Sequence, residues 1–252
     1  MTDMKGIKGV FFDLHGTLLL SPDLAAAWEA WHEAFHKCMT DCGLAMSKEE
    51  FTQHTERLFD GPEPEIEHAG MSLFERRVKD LCGRLGLEVD REYILWMVEH
   101  IIEVWYENMY LDPETHDVLN ELGSRFRLAM ITNWDHASKI PELLSDLEID
   151  HYFEEVVISD EVGVAKPDPR IFHIALEKTG LQPSEVAYVG DSVEDIQGSQ
   201  AAGVHTVLIR REQQWETWGN NSDLDSILRV YESREGAGVT VIKSLHELLS
   251  LF

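Results

Sequence analysis

Six short apolar runs govern what this chain can become. "IKGVFF", "FRLAMIT", "EEVVIS", "EVAYVG", "VHTVLI" and "VTVIK" are each about a strand long, and several are rich in Val and Ile, as buried strands are. Helical patterns lie between most of them, over 135–149, 169–179 and 192–202, the last closed by Gly203 as a helix stop. Strands alternating with helices predict an α/β core: a doubly wound, mostly parallel sheet covered on both faces.

Residues 21–111 break that alternation. They carry helical periodicity over 23–42, 47–59, 72–85 and 90–108 and no convincing strand. The expectation is an inserted helical domain, 21–111, in a discontinuous core made of 1–20 and 112–252. "DGPEPEIEHAG" (60–70) reads as a Pro- and Gly-punctuated loop of the insertion. "REQQWETWGNNSDLDS" (211–226) is a second loop, expected near the rim of the site.

At 252 residues the chain is long enough for one large domain with a sizeable insertion. Its 44% hydrophobic and 27% charged residues are the composition of a soluble globular protein. The net charge of −26, from 47 acidic against 21 basic residues, argues against nucleic acid and anionic membranes as partners. Cys38, Cys42 and Cys82 form no C-x-x-C pair, and an odd count suits no closed disulfide framework, so a reducing cytoplasm is expected. No run approaches the ~18 apolar residues of a spanning helix.

In an open parallel sheet, ligands bind beyond the carboxyl ends of the strands, so polar residues that terminate apolar runs are the ones to collect. They are Asp13 and His15 in "GVFFDLHGTLLL", Thr132 and Asn133 after the second run, Lys166 in "VGVAKPDP", and Asp191 and Asp195 in "YVGDSVEDIQG". Each alone has a structural reading as turn, cap or solvated loop. Together they suit phosphate chemistry: carboxylates for Mg²⁺, a hydroxyl, an amide and a lysine for phosphate oxygens, and one carboxylate to attack phosphorus.

These positions, in this order, resemble the four motifs of the haloacid dehalogenase superfamily. Asp13-Leu14-His15-Gly16-Thr17 is similar to its "D-x-D-x-T" motif, Thr132 to the second, Lys166 to the third and "GDSVED" (190–195) to the acidic fourth. The insertion looks like the cap of many of its phosphatases. The resemblance implies Asp13 as nucleophile, giving an aspartyl-phosphate that water hydrolyses. It implies Mg²⁺ held by Asp13, the main-chain carbonyl of His15 and Asp191, with Asp195 ligating directly or from one layer further out. Thr132, Asn133 and Lys166 would bind the phosphoryl group of a small phosphorylated metabolite. Oligomeric state is not readable.

His15 departs from that pattern, because the family's phosphatases usually carry there a second aspartate that relays the proton. Imidazole can do acid–base work, its reference pKa of ~6.5 lying nearer neutrality than the ~3.9 of aspartate. A nearby Mg²⁺, however, disfavours imidazolium. Three readings stay open: a phosphatase that uses His15, a weak or inactive relative that binds Mg²⁺ and phosphate, and a chain altered here to slow turnover. Dehalogenases and phosphonatases of the superfamily also lack the second aspartate. The retained acidic "GDSVED" argues against the first, and nothing marks Lys37 or Lys48 as the cap lysine of the second.

"HEAFH" (32–36) formally matches the H-E-x-x-H zinc motif, with Glu33 as base, but a zinc site needs a third ligand, for which His54 and Glu56 are unremarkable. His32 and His36 are expected instead on a helix face near Trp28, Trp31 and Phe35, in packing or in a substrate pocket. Trp96, Trp105 and Tyr106 extend the aromatic pattern, most of it expected between helices.

Overall fold

A computed structural model describes residues 4–56, 58–59, 61–65, 70–211 and 238–252. Most of the 211–226 loop, and residues 60 and 66–69 of the other, lie outside the described residues. The chain divides into two compact units, Met1–Leu20 with Leu111–Phe252, and Ser21–Tyr110. In chain order its elements are β1 (Gly9–Phe12), β2 (Leu19–Leu20), α1 (Leu24–Asp41), α2 (Lys48–Thr55), α3 (Leu73–Arg84), α4 (Arg91–Tyr106), β3 (Tyr110–Leu111), α5 (Thr115–Gly123), β4 (Arg127–Thr132) and α6 (Lys139–Asp146). There follow β5 (Glu155–Ile158), α7 (Ser159–Val162), α8 (Pro169–Thr179), β6 (Val186–Gly190), α9 (Val193–Ala202), β7 (His205–Ile209) and β8 (Thr240–Ile242).

The six apolar runs become one six-stranded sheet in the order β5-β4-β1-β6-β7-β8, with every pairing parallel. β1 is central and buried along its whole length, as a strand covered on both faces must be. On one side of it Phe11, Ala129, Ile131, Val157 and Tyr188 pack against Ile171, Phe172 and Ala175 of α8 and Ala202 of α9. Burying each large apolar side chain there contributes about 1.5–3 kcal/mol.

The register decides where the chemistry sits. Phe12 lies opposite Met130 of β4 and Val189 of β6, so the residue after it leaves the sheet between two neighbours. From β1 the chain order runs outward in both directions, to β4–β5 and to β6–β7, which opens a crevice at the carboxyl ends.

Helix ends follow their capping residues. α8 starts behind Asp168, whose side chain accepts from Arg170 N, carries Pro169 at its first turn, and stops at Gly180 with φ +67°. α9 begins at Ser192 with a reciprocal capping box to Asp195 and stops at Gly203. α6 is shorter than the periodicity over 135–149 predicts, because residues 135–138 turn before Lys139 and 150–152 form a separate 3₁₀ turn.

The unit Ser21–Tyr110 is helical. Capping boxes Ser47/Glu50 and Ser72/Glu75 start α2 and α3, and Asp23 and Asp90 cap α1 and α4. Trp31, Phe35, Met39, Phe51, Val78, Met97 and Ile101 are buried in it. Among the described residues no helix is long and apolar enough to cross a membrane.

Candidate active site

Asp13 follows β1 directly. Its N–H donates to Val189 O at 2.9 Å, which extends the β1–β6 pairing by one residue and fixes the side chain at the sheet rim. Lys166 comes from the loop between α7 and α8, and its backbone is clamped by Asn133: Lys166 N–H donates to Asn133 Oδ1 at 2.8 Å, and Asn133 Nδ2 donates to Lys166 O at 2.9 Å. The carboxamide of Asn133 thus positions the lysine's main chain, with one Nδ2 proton used in doing so.

The Lys166 ammonium is buried and donates to Asp13 Oδ1 at 2.6 Å, Asp195 Oδ1 at 2.7 Å and Tyr188 Oη at 3.0 Å. An ammonium has three protons, and these three acceptors take them all. Tyr188, fully buried on β6, in turn donates to Asp195 Oδ1 at 2.7 Å. The second oxygen of Asp195 accepts from Asp191 N, Ser192 N and Ser192 Oγ at 3.1, 3.0 and 2.8 Å. With both oxygens so occupied, Asp195 organises the loop and the lysine more than it offers an open ligand atom.

Asp191, half-buried, follows β6, and Thr17 Oγ1 donates to its Oδ1 at 3.4 Å. Gly16 lies against the same carboxylate, at φ +87°, where a Cβ would fall 2.2 Å from Asp191 Oδ2. Only glycine fits that approach. Asp13, Asp191 and Asp195 each present a carboxylate oxygen within 4.8 Å of the others, the one candidate metal cluster among the described residues.

The electrostatics of the cluster follow from burial. Burial pushes Asp13 up to about 7 against the pull of Lys166. Asp191 is raised well above the carboxylate range by burial and by the neighbouring Asp13 and Asp195, with Lys166 and Arg211 opposing. Burial also acts to raise Asp195, but the charge and hydrogen bonds of Lys166, with those of Tyr188 and Ser192, hold it below its ordinary value. Lys166 is kept protonated: burial acts against the charge, and Asp13 and Asp195 outweigh it. Two carboxylates held together at raised pKa form a site short of positive charge. An all-oxygen donor set of this kind fits a hard divalent cation such as Mg²⁺.

His15 stacks face to face on Trp134, with ring centroids 4.5 Å apart and an interplanar angle of 13°. Burial, then the charge of Lys166, drives its imidazole down to about 3, so the ring is neutral at physiological pH. Trp134 is itself held by Ser159, which accepts from Trp134 N at 2.9 Å and donates to Trp134 O at 3.2 Å. Thr132 ends β4 fully buried, and its Oγ1 has no hydrogen-bond partner among the described residues.

The structure therefore brings together Asp13, Thr132, Lys166, Asp191 and Asp195 from four strand ends, with His15 and Asn133 beside them. Sequence reasoning missed Tyr188 and Trp134. The one signal for Tyr188 is a hydroxyl inside an otherwise apolar run. The H-E-x-x-H match does not become a zinc site: His32 spends its ring nitrogens on Trp28 O at 2.8 Å and Thr55 Oγ1 at 3.1 Å, and His36 Nε2 on Met46 O at 2.9 Å. Lys37 is exposed and Lys48 is paired with Glu29.

Comparison with known proteins agrees with this arrangement. Residues 7–203 match the family described as haloacid dehalogenase-like hydrolase. A glyceraldehyde 3-phosphate phosphatase of Methanopyrus kandleri is 35% identical over 221 residues, 86% of this chain and 90% of the relative. A phosphoglycolate phosphatase of Aliivibrio fischeri is 32% identical, covering 81% and 85%. In fold, the chain resembles the HAD phosphatase of Thermococcus onnurineus, with a TM-score of 0.65 at 21% identity over 97% of each chain. A sheet of this order, with carboxylates at these strand ends and a family match that takes in four of its six strands and all of those carboxylates, makes the chain a member of the haloacid dehalogenase-like hydrolases.

Proposed function

We propose that the chain is a cytoplasmic, Mg²⁺-dependent phosphatase of small phosphate monoesters, with Asp13 as nucleophile and the helical unit as its cap. The observation that carries the reading is the Lys166 ammonium bridging Asp13 and Asp195 beside Asp191. The names of the two relatives support a small phosphorylated metabolite as substrate, and three free cysteines suit a reducing compartment.

Lys166 restrains one oxygen of Asp13 and leaves the other to attack phosphorus. The new O–P bond displaces the alcohol and gives an aspartyl-phosphate. Water then attacks the same phosphorus, the Asp13–phosphorus bond breaks, and inorganic phosphate leaves with Asp13 restored. Thr132, whose hydroxyl is unspent, donates to the phosphoryl oxygens. Asp13, Asp191 and the His15 carbonyl would hold Mg²⁺, with Asp195 bracing them from behind. When bound, the ion supplies the positive charge that lets an anion attack an anion.

His15 sets the character of the reaction. An imidazole lowered this far is a weak proton acceptor from water and, being neutral, a poor donor to a departing alkoxide. The first step therefore favours esters whose leaving group departs unaided. The test is kcat/KM across aryl and alkyl phosphates with Mg²⁺, for the natural chain and for His15→Asp. We expect the variant to gain about tenfold or more on alkyl esters and little on aryl ones. Equal activity of the two proteins on alkyl esters across pH would overturn the role given to His15. Binding of phosphate without turnover of any ester would favour a noncatalytic binding protein instead.

A further inference from the structure

Arg211 lies just past β7 and is the first residue of the 211–226 loop expected near the rim of the site. Its guanidinium is largely buried and reaches back across the sheet end to the turn that follows Asp13. Nη1 donates to Gly16 O at 3.0 Å and Nη2 to Thr17 O at 2.8 Å. Nη2 also pairs with Asp112 Oδ2 at 2.7 Å, where the two side chains are 13% and 7% exposed. An Arg–carboxylate pair this buried persists only when its geometry is good and its other protons are satisfied.

Asp112 is a fixed anchor. Its N–H donates to Leu18 O at 2.8 Å and its Oδ1 accepts from Glu114 N at 2.8 Å. The turn that Arg211 grips is the one in contact with Asp191, through Thr17 Oγ1 at 3.4 Å and the Gly16 Cα face. A continuous chain of contacts thus runs from Asp112 through Arg211 and the carbonyls of Gly16 and Thr17 to the Asp191 carboxylate. Along it the guanidinium both fixes the turn and adds positive charge that acts on Asp191.

We propose that Arg211 is a positioning residue for the carboxylate site: it locks the Gly16–Thr17 turn so that Asp191 is preset beside Asp13 for a divalent cation. The proposal rests on the reading of Asp13, Asp191 and the His15 carbonyl as Mg²⁺ ligands. Outer partners that orient ligands in this way are worth about 10–100-fold in metal affinity.

The test is a calorimetric titration of the full-length protein with Mg²⁺ alone, without substrate, for the natural chain, Arg211→Ala, Arg211→Lys and Asp112→Asn, each checked for folding by its thermal transition. We expect Arg211→Ala to bind Mg²⁺ about tenfold or more weakly. Arg211→Lys keeps the charge but lacks the fork that spans two carbonyls and a carboxylate, so it should recover less than half of that loss. Asp112→Asn, which leaves Arg211 in place but removes its anchor, should weaken binding by a smaller factor and covers the case in which Arg211→Ala does not fold. Natural affinity in Arg211→Ala, or in Asp112→Asn where that variant must stand in, overturns the proposal. So does full restoration by lysine, which would leave only a charge effect. If the natural chain itself takes up no Mg²⁺, the metal reading fails first and this inference with it.

Discussion

Lys166 has three protons and three acceptors, and Tyr188 is the neutral one among them. Replacing Tyr188 by Phe leaves one proton of a buried ammonium unbonded and takes one donor from Asp195. A hydrogen bond to a charged group contributes about 1.5–3 kcal/mol, so Tyr188→Phe should lower the unfolding free energy by about that amount in a denaturant titration. Because the hydroxyl holds the lysine rather than the substrate, kcat should fall about tenfold with KM little changed. A rise in KM alone would show that Tyr188 acts on substrate binding instead. Gly16 is the second sensitive position. In Gly16→Ala the new methyl would occupy the place of an Asp191 oxygen at a φ of +87°, with about 1–3 kcal/mol of backbone strain. We expect a folded protein with a lowered thermal midpoint and Mg²⁺ uptake too weak to measure calorimetrically. Undiminished uptake would show that the Gly16–Asp191 approach is not part of the site.

At the scale of elements, α9 shows how packing overrides propensity. Alanine is the better helix former by about 1 kcal/mol, yet a Cβ at Gly198 would meet Phe172 Cε2 at 2.5 Å and Pro167 O at 3.2 Å. Gly198→Ala should therefore destabilise by about 1–3 kcal/mol through overpacking of α8 against α9, read from the shift of a urea midpoint at constant slope. In the helical unit, burial pushes the Cys38 thiol on α1 up to about 11 and Cys82 on α3 to about 12, from an ordinary 9.0. Groups so raised favour the fold below pH 9.0, and that contribution is lost as pH rises towards 11–12. Neither thiol should react with iodoacetamide near neutral pH until the protein is unfolded. The same elements mark what the sequence could disclose. The strands were legible because burial on both faces leaves an unbroken apolar run, and most helix starts because Ser47, Ser72, Asp90 and Ser192 cap them. α5 was not anticipated, since its apolar positions, Val118, Leu119 and Leu122, span little more than a turn. The positions at the strand ends were legible as a set. The work of Tyr188, Trp134 and Arg211 was not, because each contact joins residues from different strands whose distance apart only the fold decides. Asp195 was legible as an acid, but its five hydrogen bonds depend on the helix start and on Lys166.

For the molecule as a whole, charge is the unusual quantity, with 47 acidic residues against 21 basic ones. Salt acts on such a chain in two opposite ways. It screens exposed ion pairs such as Arg84–Asp80 and Lys178–Glu155, each worth about 0–1 kcal/mol, and so destabilises. It also screens the repulsion among the excess carboxylates, and so stabilises. At a net charge of −26 the repulsion outweighs a handful of surface pairs. The thermal midpoint should therefore rise as NaCl is raised from low to physiological ionic strength. The candidate site adds a separate effect, because its crowded carboxylates are local and buried, where Na⁺ screens poorly and a divalent cation can take the place of bound protons. At matched ionic strength, MgCl₂ should raise the midpoint beyond NaCl, by an increment that grows with the logarithm of Mg²⁺ concentration as site binding requires. Asp191→Asn removes one carboxylate of the cluster. It should abolish that increment while keeping the NaCl response, which belongs to the surface. A midpoint that falls with NaCl would mean that surface pairs dominate the electrostatics. An Mg²⁺ increment that survives in Asp191→Asn would place the cation somewhere other than between Asp13 and Asp191.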